Sequence, residues 1–182
     1  MGQRTQQQGT DRAVATSGRV DVHAHYVPKQ LQDVVASVPS APQGFASWDV
    51  PAALAMMDRQ GIATTMLSMV MWVGLFAGDD ATAARRLARL SNEVAAEAIR
   101  THPDRFGGFA CLPLPDVDGA LAEIDYALGT LGLDGVLLLT NTNGVYLGDG
   151  RLDAVFGELN HRRAVAFVHP WLPACVERTS LG

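Results

Sequence analysis

The sequence has few cysteines, few charged residues and no long apolar run. Only 18% of its residues are charged, and the formal net charge is −5, which argues against nucleic acid or an anionic membrane surface as a partner. The two cysteines, Cys111 and Cys175, are far apart without CxxC spacing, so they favour free thiols in a reducing compartment. The longest apolar run, around residues 66–77, is shorter than the roughly 20 residues that a membrane helix needs. We therefore expect a soluble, cytoplasmic protein.

Composition divides the chain into two parts. Residues 1–18 are rich in Gln, Thr and Gly and lack the hydrophobic stretch of a signal peptide, so we predict a disordered leader there. The remaining residues, 19–182, are the predicted folded domain, because 48% of the sequence is apolar and the length suits one domain.

Short apolar runs alternate with longer stretches of helical spacing from Arg19 onward. Because Gly135–Leu139 is apolar on both faces, it is typical of a parallel strand covered by helices. Repeated strand–helix units predict an α/β fold. Strands are predicted at Arg19–His23, Ala63–Met69, Gly107–Leu112, Gly135–Leu139 and Val165–His169. Helices are predicted at Val50–Gln60, Asp79–Thr101, Asp116–Leu131 and Arg151–Arg162.

Glycines 144, 148 and 150 lie close together after the fourth predicted strand. A phosphate-binding loop would need a lysine and a helix start at a fixed distance from them, and neither is present. We therefore predict an ordinary loop for this stretch.

Histidines stand at the ends of the first and the fifth predicted strands. His23 and His25 are two residues apart, so their side chains point to the same face, and His169 ends the fifth strand. Barrels of parallel strands keep their active sites at these carboxyl ends. An HxH pair alone also fits two exposed histidines, but a third imidazole favours a catalytic metal site with an open position. His102 and His161 are interpreted as structural residues at helix ends.

Six blocks of this sequence resemble the amidohydrolase-related decarboxylases, the group of α-amino-β-carboxymuconate-ε-semialdehyde decarboxylase and γ-resorcylate decarboxylase. Their order and spacing carry the resemblance, which runs from Arg19 to about Trp171. The blocks are Val20–Pro28, Leu90–Glu93, His102–Phe109, Leu112–Pro115, Gly132–Val136 and Ala164–Pro170.

The resemblance implies an amidohydrolase-type (β/α)8 TIM barrel of which about the first five β/α units are present. It also implies that His23, His25 and His169 bind one metal ion, with zinc expected and manganese as the alternative. The family's fourth ligand, an Asp on strand eight, and its acid/base histidine on strand six would fall beyond Gly182. A full barrel of this kind takes about 250 residues, so the last three strands are expected to be missing.

Three function hypotheses follow. The first is a metal-dependent decarboxylase of a small unsaturated or aromatic carboxylic acid. The second is a metal-dependent hydrolase of a lactone or amide on the same scaffold. The third is an inactive truncated fragment of such an enzyme. Open sheet edges in an incomplete barrel would pair with another copy, so we also expect a homo-oligomer.

Three residues besides the histidines are candidates for substrate binding. Trp72 and Trp171 follow strand ends and are candidates to line the pocket, with ordinary loop packing as the alternative for Trp72. Ser68 also follows a strand end and is a fourth candidate for the pocket lining. Asn92 lies inside a helix and matches an Asn of the family. It is interpreted as a packing or hydrogen-bonding residue, with contact to the site as the alternative.

Overall fold

The predicted leader, apart from Gly18, lies outside the residues that the structure describes, and so does Trp72. Disorder of the leader and a role of Trp72 in substrate binding therefore stay predictions. Within the described residues, no helix is both long enough and apolar enough to span a bilayer. The computed structural model of the chain describes residues 18–27, 29–31, 48–69 and 80–171.

Five strands form one parallel sheet, in the order in which they occur along the chain. Among the described residues, four α-helices of at least eight residues connect successive strands, as the alternation of periods predicts. The strands are β1 (Arg19–His25), β2 (Ile62–Ser68), β3 (Phe106–Ala110), β4 (Gly135–Leu139) and β5 (Val165–His169). The helices are α1 (Val50–Gln60), α2 (Ala81–Thr101), α3 (Val117–Ile124) and α4 (Asp153–Arg162).

The sheet is strongly curved. β1 and β5 are its two edges, and four inter-strand spacings of about 4.8 Å would put the edges about 19 Å apart in a flat sheet. The rings of His23 on β1 and His169 on β5 nevertheless have centroids only 4.9 Å apart. The sheet therefore bends into part of a barrel, and its concave face brings the two edges together.

The two faces of the sheet pack in different ways. On the concave face, Phe109 and Leu137 are buried with Met66, Leu139 and Phe167 around them. On the convex face, the helices cover the sheet and bury the main core, to which every one of the four helices contributes. These helix residues include Met57, Ala95, Ile124 and Val155.

The helix ends follow the sequence signals. Asp49 caps α1 by accepting a hydrogen bond from the Ala52 amide, and Gly61 ends it in the left-handed region with φ of 64°. Asp116 caps α3 in the same way. α2 ends at Thr101, and its C-cap residue His102 directly precedes a proline. The predicted bounds of α1 and the predicted end of α2 at Thr101 are therefore confirmed.

The bounds of β2, β3, α2 and α4 differ from the predicted ones by one or two residues at an end, and three further differences concern β1, the third helix and one loop. β1 extends to His25, because Ala24 and His25 still pair with β2. The predicted helix Asp116–Leu131 is α-helical only to Ile124, and residues Asp125–Thr130 form a wider π-helical turn. The loop predicted around Gly144 contains a two-stranded hairpin, Asn141–Thr142 with Val145–Tyr146. Its turn residues, Asn143 and Gly144, both have positive φ, the conformation that an Asn-Gly pair favours in a tight hairpin.

Candidate metal centre

His23, His25 and His169 meet at the carboxyl ends of β1 and β5. Each offers a ligand atom within 4.8 Å of the others, and their ring centroids are 4.8–5.1 Å apart. His23 and His25 are exposed, and His169 is half-buried. These three residues, called the histidine cluster below, are the ones that the sequence predicts as ligands, and the sheet curvature brings them together.

Backbone carbonyls orient two rings of the histidine cluster. The His25 Nδ1 lies 3.3 Å from the Ser68 carbonyl oxygen, and the His169 Nδ1 lies 2.7 Å from the Pro170 carbonyl oxygen. Since a carbonyl only accepts, each Nδ1 carries the proton and donates it. A neutral ring in this tautomer has an unprotonated Nε2, the arrangement found in metal-bound histidines.

The nitrogen spacing fits a divalent ion. The Nε2 atoms of His23 and His25 are 3.0 Å apart. Two nitrogens about 2.1 Å from a tetrahedral zinc would lie about 3.4 Å apart, so a small adjustment accommodates an ion. Because the His25 Nε2 carries a lone pair, the short gap to His23 must hold either a shared proton or a cation. The donor set therefore fits a metal ion.

The electrostatics of His25 favour the neutral ring. Loss of solvent around the ring lowers its pKa below the ordinary value of 6.5, although the hydrogen bond to Ser68 opposes this effect. The neighbouring His23 and His169 lower the pKa further, and Asp21 raises it. Neutral imidazole is the form that binds metal, so His25 is available as a ligand at neutral pH.

Of the other predicted residues, Ser68 contacts the histidine cluster, and Trp171 makes its hydrogen bonds with Thr140. Ser68 is buried, and its Oγ lies 3.3 Å from both the His25 Nδ1 and the Ala24 carbonyl oxygen. Trp171 follows His169 by two residues and is half-buried, and its backbone amide donates to the Thr140 Oγ1 at 2.9 Å. A role of Trp171 in substrate binding stays a prediction.

Asn92 makes the hydrogen bonds of a buried structural amide. Its Nδ2 donates to the Cys111 carbonyl at 2.9 Å and to the Glu123 Oε1 at 2.8 Å. Its Oδ1 accepts from the Cys111 amide at 2.8 Å. The predicted hydrogen-bonding role is therefore seen, and the residue fixes the backbone just after β3. Contact of Asn92 with a substrate stays a prediction.

An aromatic floor that is absent from the sequence prediction lies beneath the histidine cluster. The Phe167 ring contacts His23 edge-on at 5.5 Å and stacks on Phe109 with centroids 5.4 Å apart. Phe167 lies two residues before His169 on β5, so the period of two along a strand was the available signal. The floor places a flat apolar surface beside the three polar rings at the carboxyl ends of the strands.

Comparisons with known proteins agree with this geometry. The family model described as amidohydrolase matches residues 20–181. The 6-methylsalicylic acid decarboxylase of Penicillium expansum is 35% identical over 85% of this chain, which covers 49% of that protein. The γ-resorcylate decarboxylase of Rhizobium radiobacter is 32% identical over 86% of this chain and 51% of its own length. Relatives from both decarboxylase groups are thus found, and the resemblance stated from the sequence is confirmed.

Solved structures show the same fold. The crystal structure of 2,6-dihydroxybenzoate decarboxylase from Rhizobium superposes with a TM-score of 0.72 at 28% identity. The match covers 90% of this chain and 52% of that one. The predicted TIM barrel with about five β/α units is confirmed, and the chain spans about half the length of the curated relatives it matches.

Proposed function

Because the chain belongs to the amidohydrolase family, we propose that it supplies the metal-binding half of a decarboxylase acting on small aromatic carboxylic acids. The observation that carries the proposal is the histidine cluster, with its ligand atoms within 4.8 Å of one another and two rings held by backbone carbonyls. The relatives support the reaction class, since those compared above are decarboxylases of aromatic acids.

The ion would be held by His23, His25 and His169 and is proposed to be zinc, with manganese as the alternative. A bound ion would supply Lewis-acid chemistry, polarising an oxygen substituent of the acid. The His25 and His169 rings are held so that Nε2 faces the centre, since the Nδ1 of each is committed to a carbonyl. The chain's own contribution is therefore a preoriented set of neutral donors.

The floor of the mouth suits an aromatic substrate. Phe167 and Phe109 are stacked with an interplanar angle of 1°, and they present apolar surface on the side of the sheet that carries the histidine cluster. A flat ring can pack there by offset or edge-on contact while its polar substituents face the imidazoles. This arrangement favours an aromatic acid over the lactone or amide that the sequence leaves open.

Decarboxylation breaks the bond between the ring carbon and the carboxyl carbon and releases carbon dioxide. The electron pair left on the ring carbon must then take up a proton. If the histidine cluster holds a metal ion, its three rings are committed as ligands. The proton donor is therefore proposed to be a group other than these three histidines.

Self-association and a cytoplasmic location complete the proposal. Both edge strands expose valines, namely Val20, Val22, Val165 and Val168, each with about half of its surface accessible. Such edges favour pairing with a second chain. Cys111 is a buried free thiol, which is consistent with a reducing compartment.

Metal content tests the ligand assignment directly. After incubation with zinc and removal of excess ion, the chain is expected to retain close to one zinc per chain by elemental analysis. His23→Ala and His169→Ala should each sharply reduce this content, because two imidazoles hold an ion less tightly than three. His161→Ala, which changes an exposed helix-end histidine outside the cluster, is the matched control. Wild-type zinc content in both ligand variants would refute the assignment.

Substrate trials test the reaction. The chain joined to the carboxyl-terminal half of a relative's barrel is expected to release carbon dioxide from 6-methylsalicylate or 2,6-dihydroxybenzoate in a metal-dependent manner. His25→Ala in the same fusion should abolish the release, and the His161→Ala variant should retain it. Hydrolysis of an aromatic lactone without any decarboxylation would replace the proposed reaction by the alternative one.

A further inference from the structure

We propose that a second cavity, on the convex side of the sheet, binds a small uncharged phenol-like molecule through the hydroxyl of Thr65. The cavity has a volume of about 270 Å³ and lies between α1 and the first two strands. This proposal goes beyond the proposed function and does not depend on it. The residues that carry the argument are Trp48, Met56, Met57, Thr65, Leu67 and Phe106, all of which line the cavity.

Thr65 has an unmet hydrogen bond. The residue is only 3% exposed, and its Oγ1 is the one buried side-chain polar atom without a hydrogen-bond partner among the described residues. The adjacent Thr64 differs, because its Oγ1 donates to the Asp104 carbonyl. Buried hydroxyls are nearly always paired in folded proteins. The lining covers the Thr65 Oγ1 in this structure, so an occupant that bears a polar atom would pair with this hydroxyl after a small movement of the lining.

The cavity is separate from the floor of the histidine cluster because successive residues of β2 face opposite sides of the sheet. Thr65 and Leu67 face the convex side, and Leu67 belongs to the main core under the helices. Met66, between them, packs with the concave cluster of Phe109 and Leu137. His25 reaches the cavity lining from the end of β1, but its ring faces His23 and His169.

The size and the lining of the cavity define the ligand class. A dry apolar cavity of about 150 Å³ is known to hold a benzene molecule, so about 270 Å³ accommodates one aromatic ring with a substituent. Trp48 and Met56 are partly exposed at the cavity and offer the ring and thioether surfaces that aromatic rings prefer. Met57 and Phe106 are buried behind them, with the Phe106 and Trp48 ring centroids 6.2 Å apart.

Charge decides against an acid as the ligand. The described lining contains the carboxylate of Asp49 and neither lysine nor arginine, and the ring of its histidine, His25, faces His23 and His169. A second carboxylate would therefore enter without a counter-ion. The hydroxyl of a phenol is uncharged at neutral pH. The Thr65 hydroxyl can donate to it or accept from it, which satisfies both groups at once.

Methionine methyl signals give a readout specific to this cavity. The 182-residue chain labelled with 13C-methyl methionine has six such signals, and single Met→Leu variants assign those of Met56, Met57 and Met66. Titration with phenol is expected to shift the Met56 and Met57 signals saturably in the millimolar range and to leave the Met66 signal, on the other face, unchanged. Benzoate at the same concentrations should not shift Met56 or Met57.

Variants test the role of the hydroxyl. Thr65→Val keeps the shape of the side chain and is expected to weaken phenol binding about 3- to 10-fold, the usual contribution of one hydrogen bond. Thr64→Val is the matched control and should bind phenol like the wild type. Ala53→Leu, which places a larger side chain at the cavity wall, should abolish the shifts.

Three outcomes would overturn the proposal. The first is the absence of any saturable shift of Met56 and Met57, which would leave water as the partner of Thr65. The second is a shift of Met66 alone, which would place phenol on the concave face. The third is that Thr65→Val binds phenol with the same affinity as the wild type. Should that variant fail to fold, equal affinity of the wild type for phenol and for benzene would overturn the proposal instead.

Discussion

Replacing Asn92 by leucine should strongly destabilise the fold. The wild-type amide is 1% exposed and makes three hydrogen bonds of 2.8–2.9 Å, two to the backbone of Cys111 and one to Glu123. Leucine would leave a buried amide and a buried carbonyl without this partner, and the Glu123 carboxylate would keep only Arg89. Each unmet buried polar group costs about 1–3 kcal/mol, so we expect a loss of about 3–5 kcal/mol after partial relaxation.

Urea denaturation at neutral pH measures this change as the difference in the free energy of unfolding. The matched control is Glu97→Ala on the same helix, where the glutamate forms an exposed ion pair with Arg100. Exposed pairs contribute little to stability, so the control is expected to unfold like the wild type. A loss below about 1 kcal/mol for Asn92→Leu would mean that the three hydrogen bonds are not a major part of the stability.

Asn92→Asp separates hydrogen bonding from charge. The new carboxylate has the shape of the amide and still accepts from Cys111, but its second oxygen replaces a donor that lies 2.8 Å from the Glu123 Oε1. Two carboxylates at this distance repel, and one takes up a proton more readily than it would in the unfolded chain. The defect should therefore be largest at pH 7 and shrink on acidification through the range where carboxyl groups titrate. An equal defect at pH 7 and pH 4.5 would contradict this reasoning.

Three further predictions rest on other parts of the fold. In metal-free protein the pKa of His25 is lowered below 6.5. As the pH falls, His25 is therefore protonated in the unfolded chain at a higher pH than in the folded chain. The stability from the neutral ring is present above pH 6.5 and is lost as the pH falls through the lower folded value. His25→Gln should reduce the loss seen by urea denaturation between pH 7.5 and 5.5, and an unchanged loss would refute this assignment. Burial raises the pKa of Cys111 to about 12, with a smaller contribution from Glu123, so with the second cysteine replaced by serine the folded chain should not react with a thiol reagent at pH 8. Fast labelling under native conditions would contradict that burial. Val22→Lys and Val168→Lys should reduce self-association in light scattering, because charge on an edge strand opposes pairing, whereas Tyr146→Lys in the hairpin should not. Association unaffected by either valine substitution would place the contact elsewhere.

The parts of the fold with a local signal could be predicted from the sequence. Val50–Gln60 and Val165–His169 have the predicted bounds, because Gly61 ends the helix and an apolar run ends at a polar histidine. The π-helical turn after Ile124 could not be predicted, since nothing in the apolar spacing distinguishes it from a continued α-helix. The hairpin at Asn143-Gly144 was predictable in principle, because that pair is a strong turn signal.

Some residues of the candidate site could likewise be predicted from the sequence, and others could not. His23 and His25 share a face because of the two-residue period, and His169 could be assigned to the same mouth because parallel strands end on one side. The partners of Asn92 could not be predicted, because Cys111 and Glu123 are 19 and 31 residues away in sequence. Such pairings depend on how α2 packs against its neighbours. Ser68 beside His25 depends on the register between β1 and β2, which the apolar pattern alone does not fix.

The position of the ligands on the two edge strands also has a consequence for folding kinetics. β1 and β5 are the strands farthest apart in the sheet, and an ion held by both would close a chain segment containing all the intervening strands and helices. Closing such a long loop is entropically costly, so the ion's binding site forms only after β2, β3 and β4 have docked. Metal capture should then be a late event in refolding. Once bound, the ion would slow unfolding, because detachment of either edge strand would require a bond between the ion and a histidine to break.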